Sequence, residues 1–289
     1  MRMREIIASY SDKKRKNEQF DLWLYHIGRR FSWPIAWAAI NLGITATGVT
    51  FISAFFVWTG AALIMVGSPL WQLLGALFFQ LWIIFDCADG TVARATKTGS
   101  KRGEYADAFG GYSVSMLLYS SMGVAAARQA LGMDRILPLL RGTITGDVAN
   151  AIVGSAPAVS ASTVLVAGAL LLAGVGASLL SLYARLLYQK FLNVFEDQAR
   201  QARPIKPRDD RGNPIMIAAQ NLAANSGFAL PLAFVALLAD LESWYVFFYV
   251  IVNLGMLILT IRRTLTRKAT AALNIAGPGA AADREDPTP

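Results

Sequence analysis

The stretch DCADGTVARATKTGSKRGEYADAFGGYS, residues 86–113, places three aspartates between long apolar segments of the chain. Asp86 and Asp89 are three positions apart, which puts both side chains on one face of a helix. A short polar connection follows, and Asp107 lies at the start of the next apolar segment. Because a short connection makes neighbouring helices antiparallel, we expect Asp107 to face the first two aspartates. The sequence therefore predicts three carboxylates in one pocket.

The composition of the chain predicts that this pocket lies at a membrane. Hydrophobic residues make up 55% of the sequence and charged residues 16%, and the mean hydropathy is +0.43. Between Arg30 and Asp86 there is no Asp, Glu, Lys or Arg, which leaves room for two helical crossings of about 20 residues each. Gly67, Ser68 and Pro69 divide them. These features are typical of an integral membrane protein.

Further apolar segments bring the predicted number of spans to six. They lie near residues 106–128, 157–184, 215–239 and 243–261. Residues 136–156 are less apolar and contain prolines and charges, so we expect an extracytoplasmic re-entrant or surface segment there. The predicted fold class is an all-α integral membrane protein, with six transmembrane helices preceded by an N-terminal interfacial amphipathic helix.

One membrane domain dominates the predicted organisation. The three predicted parts are a cytoplasmic interfacial helix (1–30), a six-span membrane domain (31–268) and a disordered cytoplasmic tail (269–289). The first part mixes charged and aromatic residues, which suits a helix on the membrane surface, although a simple topology anchor explains it equally well. The tail is rich in Ala, Gly and Pro without apolar periodicity, which indicates disorder.

Basic residues predict which side of the membrane each end of the chain occupies. Short loops rich in Lys and Arg stay in the cytoplasm. In a six-span arrangement, the basic segments near 13–16, 97–102, 190–211 and 262–268 share one side. We therefore expect both termini and the aspartates on the cytoplasmic side. Attraction to anionic lipid head groups explains the net charge of +8, so we expect membrane lipids and no nucleic acid as partners.

The counts of cysteine and histidine exclude several kinds of chemistry. Cys87 is the single cysteine and has no cationic neighbour in the sequence, so we expect it to pack in the core. His26 is the single histidine and lies far in sequence from the aspartates. Neither a Ser-His-Asp triad nor a histidine-ligated zinc site can be assembled. The chemistry must therefore use carboxylates, Arg, Lys or hydroxyl groups.

Three carboxylates at a membrane require a positive partner. A lone Asp at the bilayer centre costs about 2.5 to 3.5 kcal/mol, and like charges raise one another's pKa. Oxygen ligands without His or Cys suit hard cations, so Mg²⁺ or Mn²⁺ is the expected cofactor. Gly90 and Ala93 lie on the same helical face as the first two aspartates. Their small size would let a flat ligand or a neighbouring helix approach the backbone.

The spacing of these residues resembles the signature of the CDP-alcohol phosphotransferases, which are integral membrane enzymes of phospholipid synthesis. The similar positions are Asp86, Asp89, Gly90, Ala93, Arg94, Gly103 and Asp107. Outside this motif, the pattern GIT-x2-GVT at residues 43–50 is similar to the entry of the family's first span. The resemblance implies six spans with both termini cytoplasmic, an interfacial helix at the N-terminus and a homodimer.

The resemblance also implies a reaction and a role for each motif residue. Two divalent cations, Mg²⁺ or Mn²⁺, hold the pyrophosphate of a CDP-linked donor, expected to be CDP-diacylglycerol. The hydroxyl group of a polar or anionic acceptor attacks the phosphate distal to cytidine, and CMP leaves. The implied metal ligands are Asp86, Asp89 and Asp107. The nucleotide-binding set adds Gly90, Ala93, Arg94 and Gly103 to these ligands. The compact chain suggests a bacterial inner (plasma) membrane.

Gly111 departs from the family's pattern, in which a fourth aspartate follows Asp107 by four residues and serves as the general base. Loss of a general base typically lowers a rate by about 10² to 10⁴. Glu104, one turn before Asp107, is one candidate substitute base. The loss is also explained by an acceptor that carries its own ionised oxygen, by activation through the metal alone, or by a catalytically impaired descendant that binds CDP-lipid or nucleotide without turnover. The Gly110-Gly111 pair could also mark a close helix contact.

Acceptor binding is predicted from cations near the presumed site. Arg185 lies within an apolar helical segment, where an Arg should face a pocket, a lipid phosphate or the interface. Arg200 and Arg203 belong to the basic loop at 190–211, which is either an acceptor site or an ordinary positive-inside loop. Asn221 and Asn225 either line a cavity or bond between helices.

An Mg²⁺-dependent prenyltransferase with aspartate-rich motifs is a different enzyme class that combines these metals with membrane helices. In such an enzyme the Gly-Ala-Arg spacing of residues 90–94 has no role. The CDP-alcohol phosphotransferase interpretation therefore accounts for more of the motif.

Overall fold

The computed structural model of the protein describes residues 1–132, 160–202 and 214–262, and every regular element in these ranges is helical. In chain order the helices are α1 (Met3–Ala8), α2 (Asp12–Glu18), α3 (Arg29–Asn41), α4 (Ala46–Val66), α5 (Pro69–Thr96), α6 (Lys101–Ala130), α7 (Ala161–Ala202), α8 (Pro214–Ala223), α9 (Leu230–Leu238) and α10 (Glu242–Arg262). Two π-helical turns, Leu24–Gly28 and Asn225–Ala229, lead directly into α3 and α9. The predictions for 136–156, Arg203 and the tail 269–289 lie outside the described residues.

Four of the described helices are long and apolar enough to cross a membrane. They are α4, α5, the Ala161–Lys190 part of α7, and α10. A fifth crossing is formed if the bent pair Ile217–Ala223 and Asn225–Leu238, which meet at 67°, counts as one span. The prediction of an all-helical membrane protein is confirmed, with four or five such spans in the described part of the chain. Serine, glycine and tyrosine residues keep α6 less apolar than these helices.

Local sequence signals fix the helix ends that surround the aspartates. The Thr45 side chain accepts a hydrogen bond from the Gly48 amide and caps α4, and Pro69 stands in the first turn of α5, where no amide is needed. Lys97 ends α5 with a positive φ of 57°. Ser100 then caps α6 by accepting from the Gly103 amide at 3.1 Å. The two acidic helices are therefore joined by a tight turn of the chain.

Small residues allow two pairs of spans to pack backbone against backbone. A Cβ added at Gly60 would lie 2.8 Å from the Gly75 carbonyl oxygen, so α4 and α5 touch closely there. A Cβ added at Gly123 would lie 2.8 Å from the Gly174 Cα, so α6 and α7 are in similar contact. These two contacts set the spacing of the helices that carry the aspartates and Arg185.

The N-terminal segment folds back onto the bundle. Residues 1–30, predicted as one interfacial helix, instead form α1, α2 and a π-helical turn, and the last helix continues across residue 30 to Asn41. Ile6 of α1 is fully buried in a small core beside α3, α4 and α5. The segment therefore packs against the end of the bundle where the aspartates lie.

The bend between α8 and α9 has a local cause. Ala224 adopts an extended conformation, and Gly227 has non-helical dihedral angles inside the following turn. A Cβ at Gly227 would collide with the Asn221 carbonyl group. Only glycine therefore fits where the two halves of this segment cross.

Candidate active site

The three aspartates predicted to share a pocket do meet. Asp86 and Asp89 lie in the last three turns of α5, and Asp107 lies in the second turn of α6. One carboxylate oxygen from each residue lies within 4.8 Å of the others. Asp86 is half-buried, Asp89 is buried and Asp107 is exposed. The cluster therefore extends from the buried interface between the helices to the solvent-exposed surface.

Thr50 of α4 holds the central aspartate in place. Its hydroxyl group donates to Oδ2 of Asp89 at 2.7 Å, and Thr50 is itself buried. The sequence alone indicates no role for Thr50, although this residue is the last of the GVT pattern that resembles the family's first span. A threonine at that position supplies a donor that orients the carboxylate without adding charge.

The donor set of the cluster fits a hard divalent cation. All three side chains offer oxygen atoms only, and Mg²⁺ and Mn²⁺ prefer such ligands. Ligands on opposite sides of an ion at about 2.1 Å are roughly 4.2 Å apart, so oxygens that lie within 4.8 Å of one another could reach a shared ion after small adjustments of the side chains. Asp86, Asp89 and Asp107 would hold such a metal.

Gly90 leaves room for the side chain of Arg94. A Cβ at Gly90 would lie 3.2 Å from Nη1 of Arg94, and Nη2 of Arg94 donates to Thr91 Oγ1 at 3.2 Å. The guanidinium group therefore folds back along α5 toward the aspartates. Ala93 is half-buried one turn beyond Asp89. Because Gly90 and Ala93 have small side chains or none, they leave space on the surface of α5 beside the carboxylates.

Gly103 lies in the first turn of α6, where its amide completes the Ser100 cap. A side chain there would come within 3.4 Å of the Ser100 hydroxyl oxygen. This position therefore supports the start of the helix that carries Asp107.

A buried ion pair joins the N-terminal segment to α5 beside the cluster. Arg29 donates from Nε and Nη2 to the Glu18 carboxylate at 2.6 and 2.7 Å, and from Nη1 to the Cys87 carbonyl oxygen at 2.9 Å and Thr91 Oγ1 at 3.3 Å. Tyr10 donates to Glu18 at 2.7 Å. Burial alone would raise the pKa of Glu18, but the bonds from Arg29 and Tyr10 lower it overall. This network could not be predicted from the sequence because its members lie in separate segments.

Cys87 packs in the core, as predicted. It is 2% exposed, and a Cβ added at Gly28 would lie 3.1 Å from its sulfur. The start of α3 therefore sits directly on α5 between the first two aspartates.

Gly111 faces open space. A Cβ added at Gly110 or Gly111 meets no atom of the described residues within 4 Å. The interpretation of this pair as a close helix contact within the chain therefore finds no support in the described residues. The backbone could carry a larger side chain at position 111 without a clash.

Glu104 lies at the exposed start of α6. Its side chain is 70% exposed and pairs with Lys101 at 3.0 Å, and it is not one of the three clustered carboxylates. Its role as a substitute base stays a prediction.

Arg185 lines a cavity of about 510 Å³ between α7, α8 and α10. Ser181, Gln220 and Asn253 contribute polar groups, and Asp21 lines it from the N-terminal segment. Tyr112 and Tyr119 of α6 lie close to the Arg185 side chain, so that side chain lies near the helix that carries Gly111. A pocket is one of the three surroundings predicted for Arg185, and its role in acceptor binding stays a prediction. Arg200 belongs to α7 but its side chain is not described, and Arg203 lies outside the described residues.

Asn221 and Asn225 bond between segments, which is one of the two roles predicted for them. Asn221 accepts from the Leu22 amide at 2.8 Å and donates to the Phe20 carbonyl oxygen at 2.6 Å. Asn225 donates to Ser115 Oγ of α6 at 2.7 Å. The first asparagine therefore ties the N-terminal segment to the bent span.

Comparison with known proteins places this geometry in a family. A comparison with curated proteins gave no match. The family model described as CDP-alcohol phosphatidyltransferase matches residues 43–191, which is more than half of the chain and includes all three clustered aspartates. Members of this family are transferases that move a phosphatidyl group from a CDP-alcohol. The chain belongs to the CDP-alcohol phosphatidyltransferase family.

Proposed function

We propose that the protein transfers a phosphatidyl or substituted phosphoryl group from a CDP-linked donor to a polar acceptor and releases CMP, in phospholipid biosynthesis. CDP-diacylglycerol is the expected donor. Family membership supports the reaction class, and the convergence of three carboxylates within 4.8 Å carries the assignment. A bound Mg²⁺ or Mn²⁺ would neutralise the pyrophosphate and lower the cost of the leaving charge.

In this proposal, different residues of the chain bind different parts of the donor. Asp86, Asp89 and Asp107 supply the metal ligands, and the 2.7 Å hydrogen bond from Thr50 fixes the orientation of Asp89. The small residues of α5 leave space for the cytidine ring, and the folded-back Arg94 offers a cation for phosphate oxygens. Holding the donor and the acceptor in the reactive orientation lowers the entropic cost of the reaction and so raises its rate.

The membrane arrangement follows from the same helices. We expect α6 to be the sixth span, beside the four apolar helices and the bent pair, because it is 30 residues long and packs against α7 through Gly123. Basic residues beside the spans favour cytoplasmic termini and a cytoplasmic site in a bacterial inner membrane. Close helix packing by small residues is consistent with a homodimer.

The acceptor in this proposal is an anionic alcohol bound beside Arg185. Arg185 offers a cation in a cavity of about 510 Å³, which accommodates a small anionic head group. Tyr112, the neighbour of Gly111, lies close to Arg185. An acceptor that brings its own ionised oxygen there would need no carboxylate from position 111.

Release of CMP tests the proposed function. Purified protein is incubated with radiolabelled CDP-diacylglycerol, Mg²⁺ or Mn²⁺, and a panel of neutral, phosphorylated and carboxylated alcohols. We expect CMP release that depends on the metal and is fastest with an anionic acceptor. Retained nucleotide binding without release for any acceptor would instead favour the family member that binds its ligand without turnover.

Two variants separate the explanations for Gly111. Gly111→Asp fits sterically, since an added Cβ meets no described atom within 4 Å. If only a base is missing, it should raise turnover of neutral alcohols by about 10² to 10⁴, and no gain would indicate a site adapted to another acceptor. Glu104→Gln tests the exposed carboxylate, and unchanged turnover would eliminate it as the base.

A further inference from the structure

Lys14 of α2 belongs to a group of cations beside the aspartate cluster. Its ammonium nitrogen lies 3.5 Å from Oε1 of Glu18, but that carboxylate is also bound by Arg29 at 2.6 Å. Burial, together with the positive charges of Arg94 and Arg29, lowers the pKa of Lys14, whereas Glu18 acts in the opposite direction. The Glu18 carboxylate therefore does not balance the positive charge collected here.

Arg94 contributes the second cation and an unused donor. Its Nη2 group bonds Thr91, but its Nε atom is buried without a hydrogen-bond partner among the described residues. A buried donor without an acceptor costs about 1 to 3 kcal/mol, and more for a charged group. An oxygen atom of a ligand beside Arg94 would remove this cost.

The aspartates lie on the other side of this space. Lys14 shares the Glu18 carboxylate with Arg29, and both Arg29 and Arg94 donate to Oγ1 of Thr91, two residues beyond Asp89. A phosphate group between a metal held by these aspartates and the two cations would have positive charge on both sides. The negative charge of the phosphate would then offset the repulsion between the Lys14 ammonium group and the Arg94 guanidinium group.

The N-terminal segment is anchored firmly enough to keep Lys14 in this place. Ile6 is fully buried before α2, and the Glu18–Arg29 pair, with side chains 14% and 6% exposed, fixes its last turn. Beyond α2, Asn221 binds the backbone of Leu22 at 2.8 Å. Lys14 is therefore held between fixed points rather than on a free tail.

We propose that Lys14, together with Arg94, forms an anion subsite that binds a phosphate group of the CDP-linked donor. The inference rests on the proposed function, because the donor's pyrophosphate is the anion that the aspartate-bound metal would bring to this space. The N-terminal segment then completes the donor site, and Lys14 is a donor-binding residue contributed from outside the sequence motif.

Nucleotide affinity measures this role without relying on turnover. Binding of CDP and of cytidine is measured by calorimetry in the presence of Mn²⁺, with the full-length protein in nanodiscs of zwitterionic lipid. Loss of one charge-assisted bond should weaken CDP binding by roughly 10- to 100-fold in Lys14→Gln. Cytidine, which has no phosphate, should bind both proteins equally, and Lys14→Arg should retain most of the CDP affinity.

Arg15→Gln is the matched control, because it removes the same charge from the next residue of α2. The Arg15 side chain is 50% exposed and pairs with Asp12, so its removal should leave CDP affinity unchanged. Equal CDP affinity of wild type and Lys14→Gln would overturn the proposal. Equal weakening of CDP and cytidine binding would also overturn it, since it would show a structural role for the lysine.

Two further measurements distinguish a failure of this proposal from a failure of the proposed function and from binding of a lipid head group by Lys14. If the wild-type protein bound no CDP at all, the proposed function itself would be refuted. This result differs from a loss of CDP affinity that is confined to the variants. The measurement is repeated in nanodiscs that contain anionic lipid. A defect of Lys14→Gln that appeared only there would assign the lysine to a lipid head group and refute a donor contact.

Discussion

The contact between α6 and α7 permits a sharp test of the fold, because two glycines of the same helix should respond in opposite directions. A Cβ added at Gly174 would lie 2.5 Å from the Gly123 Cα and 2.7 Å from the Tyr119 carbonyl oxygen. Both are backbone atoms, so Gly174→Ala can be accommodated only if the helices separate by about 1 Å, and overpacking of this kind costs about 1 to 3 kcal/mol. A Cβ at Gly176 meets no described atom within 4 Å. Gly176→Ala should instead gain the helix propensity of alanine, about 0.5 to 1 kcal/mol.

Unfolding of the two variants in detergent micelles, followed by tryptophan fluorescence against denaturant concentration, gives their free energies of unfolding. We expect Gly174→Ala to be less stable than Gly176→Ala by about 2 kcal/mol. Gly174→Ala should also weaken acceptor binding, because it separates the helix that carries Asp107 from the helix that carries Arg185. If Gly174→Ala proved as stable as Gly176→Ala, the close approach of the two backbones would be refuted.

Three other predictions concern the site. Asp89→Asn should keep the Thr50 hydrogen bond and the fold but weaken Mn²⁺ binding by more than roughly 10-fold, as measured by electron paramagnetic resonance; unchanged Mn²⁺ affinity would remove Asp89 from the ligands. Arg185→Gln should raise the KM for an anionic acceptor by about 10-fold or more while the KM for the donor stays constant; a rise in both would count against a separate acceptor cavity. Because the pKa of Glu18 lies below its ordinary 4.5, its ion pair stabilises the protein above that pH and the contribution is lost as pH falls through the lowered value. Thermal unfolding followed from pH 7 down through the lowered pKa should show this loss in the wild type, whereas Glu18→Gln should be about 3 kcal/mol less stable at pH 7 and lack this component of the pH dependence.

The aspartate cluster could be predicted from the sequence because its geometry is local. Helical spacing puts Asp86 and Asp89 on one face, and a tight turn capped by Ser100 returns the chain to Asp107. The helical, membrane-embedded character followed in the same way from long apolar segments. In each case, neighbours along the chain determine the arrangement.

Contacts between distant segments could not be predicted. Thr50 reaches Asp89 across 39 positions and Arg29 reaches Cys87 across 58, and no periodicity within either segment indicates such pairing. The bend at Ala224 was missed because its cause is the close approach of Gly227 to another turn. The predicted count of six spans treated α6 as an ordinary apolar helix, although it contains buried polar residues such as Ser113, Ser115 and Ser121.

The hydrogen bonds from Asn221 to Phe20 and Leu22 join positions about 200 residues apart. While the polypeptide is being synthesised, the N-terminal segment leaves the ribosome long before Asn221 exists. Its contacts with α3 to α5, made by Ile6 and Arg29, need no residue beyond α5, whereas the two bonds to Asn221 must wait for the bent span. A chain that stalled before residue 221 would therefore hold the start of the N-terminal segment against α5 but lack the two bonds that fasten its end at Phe20 and Leu22.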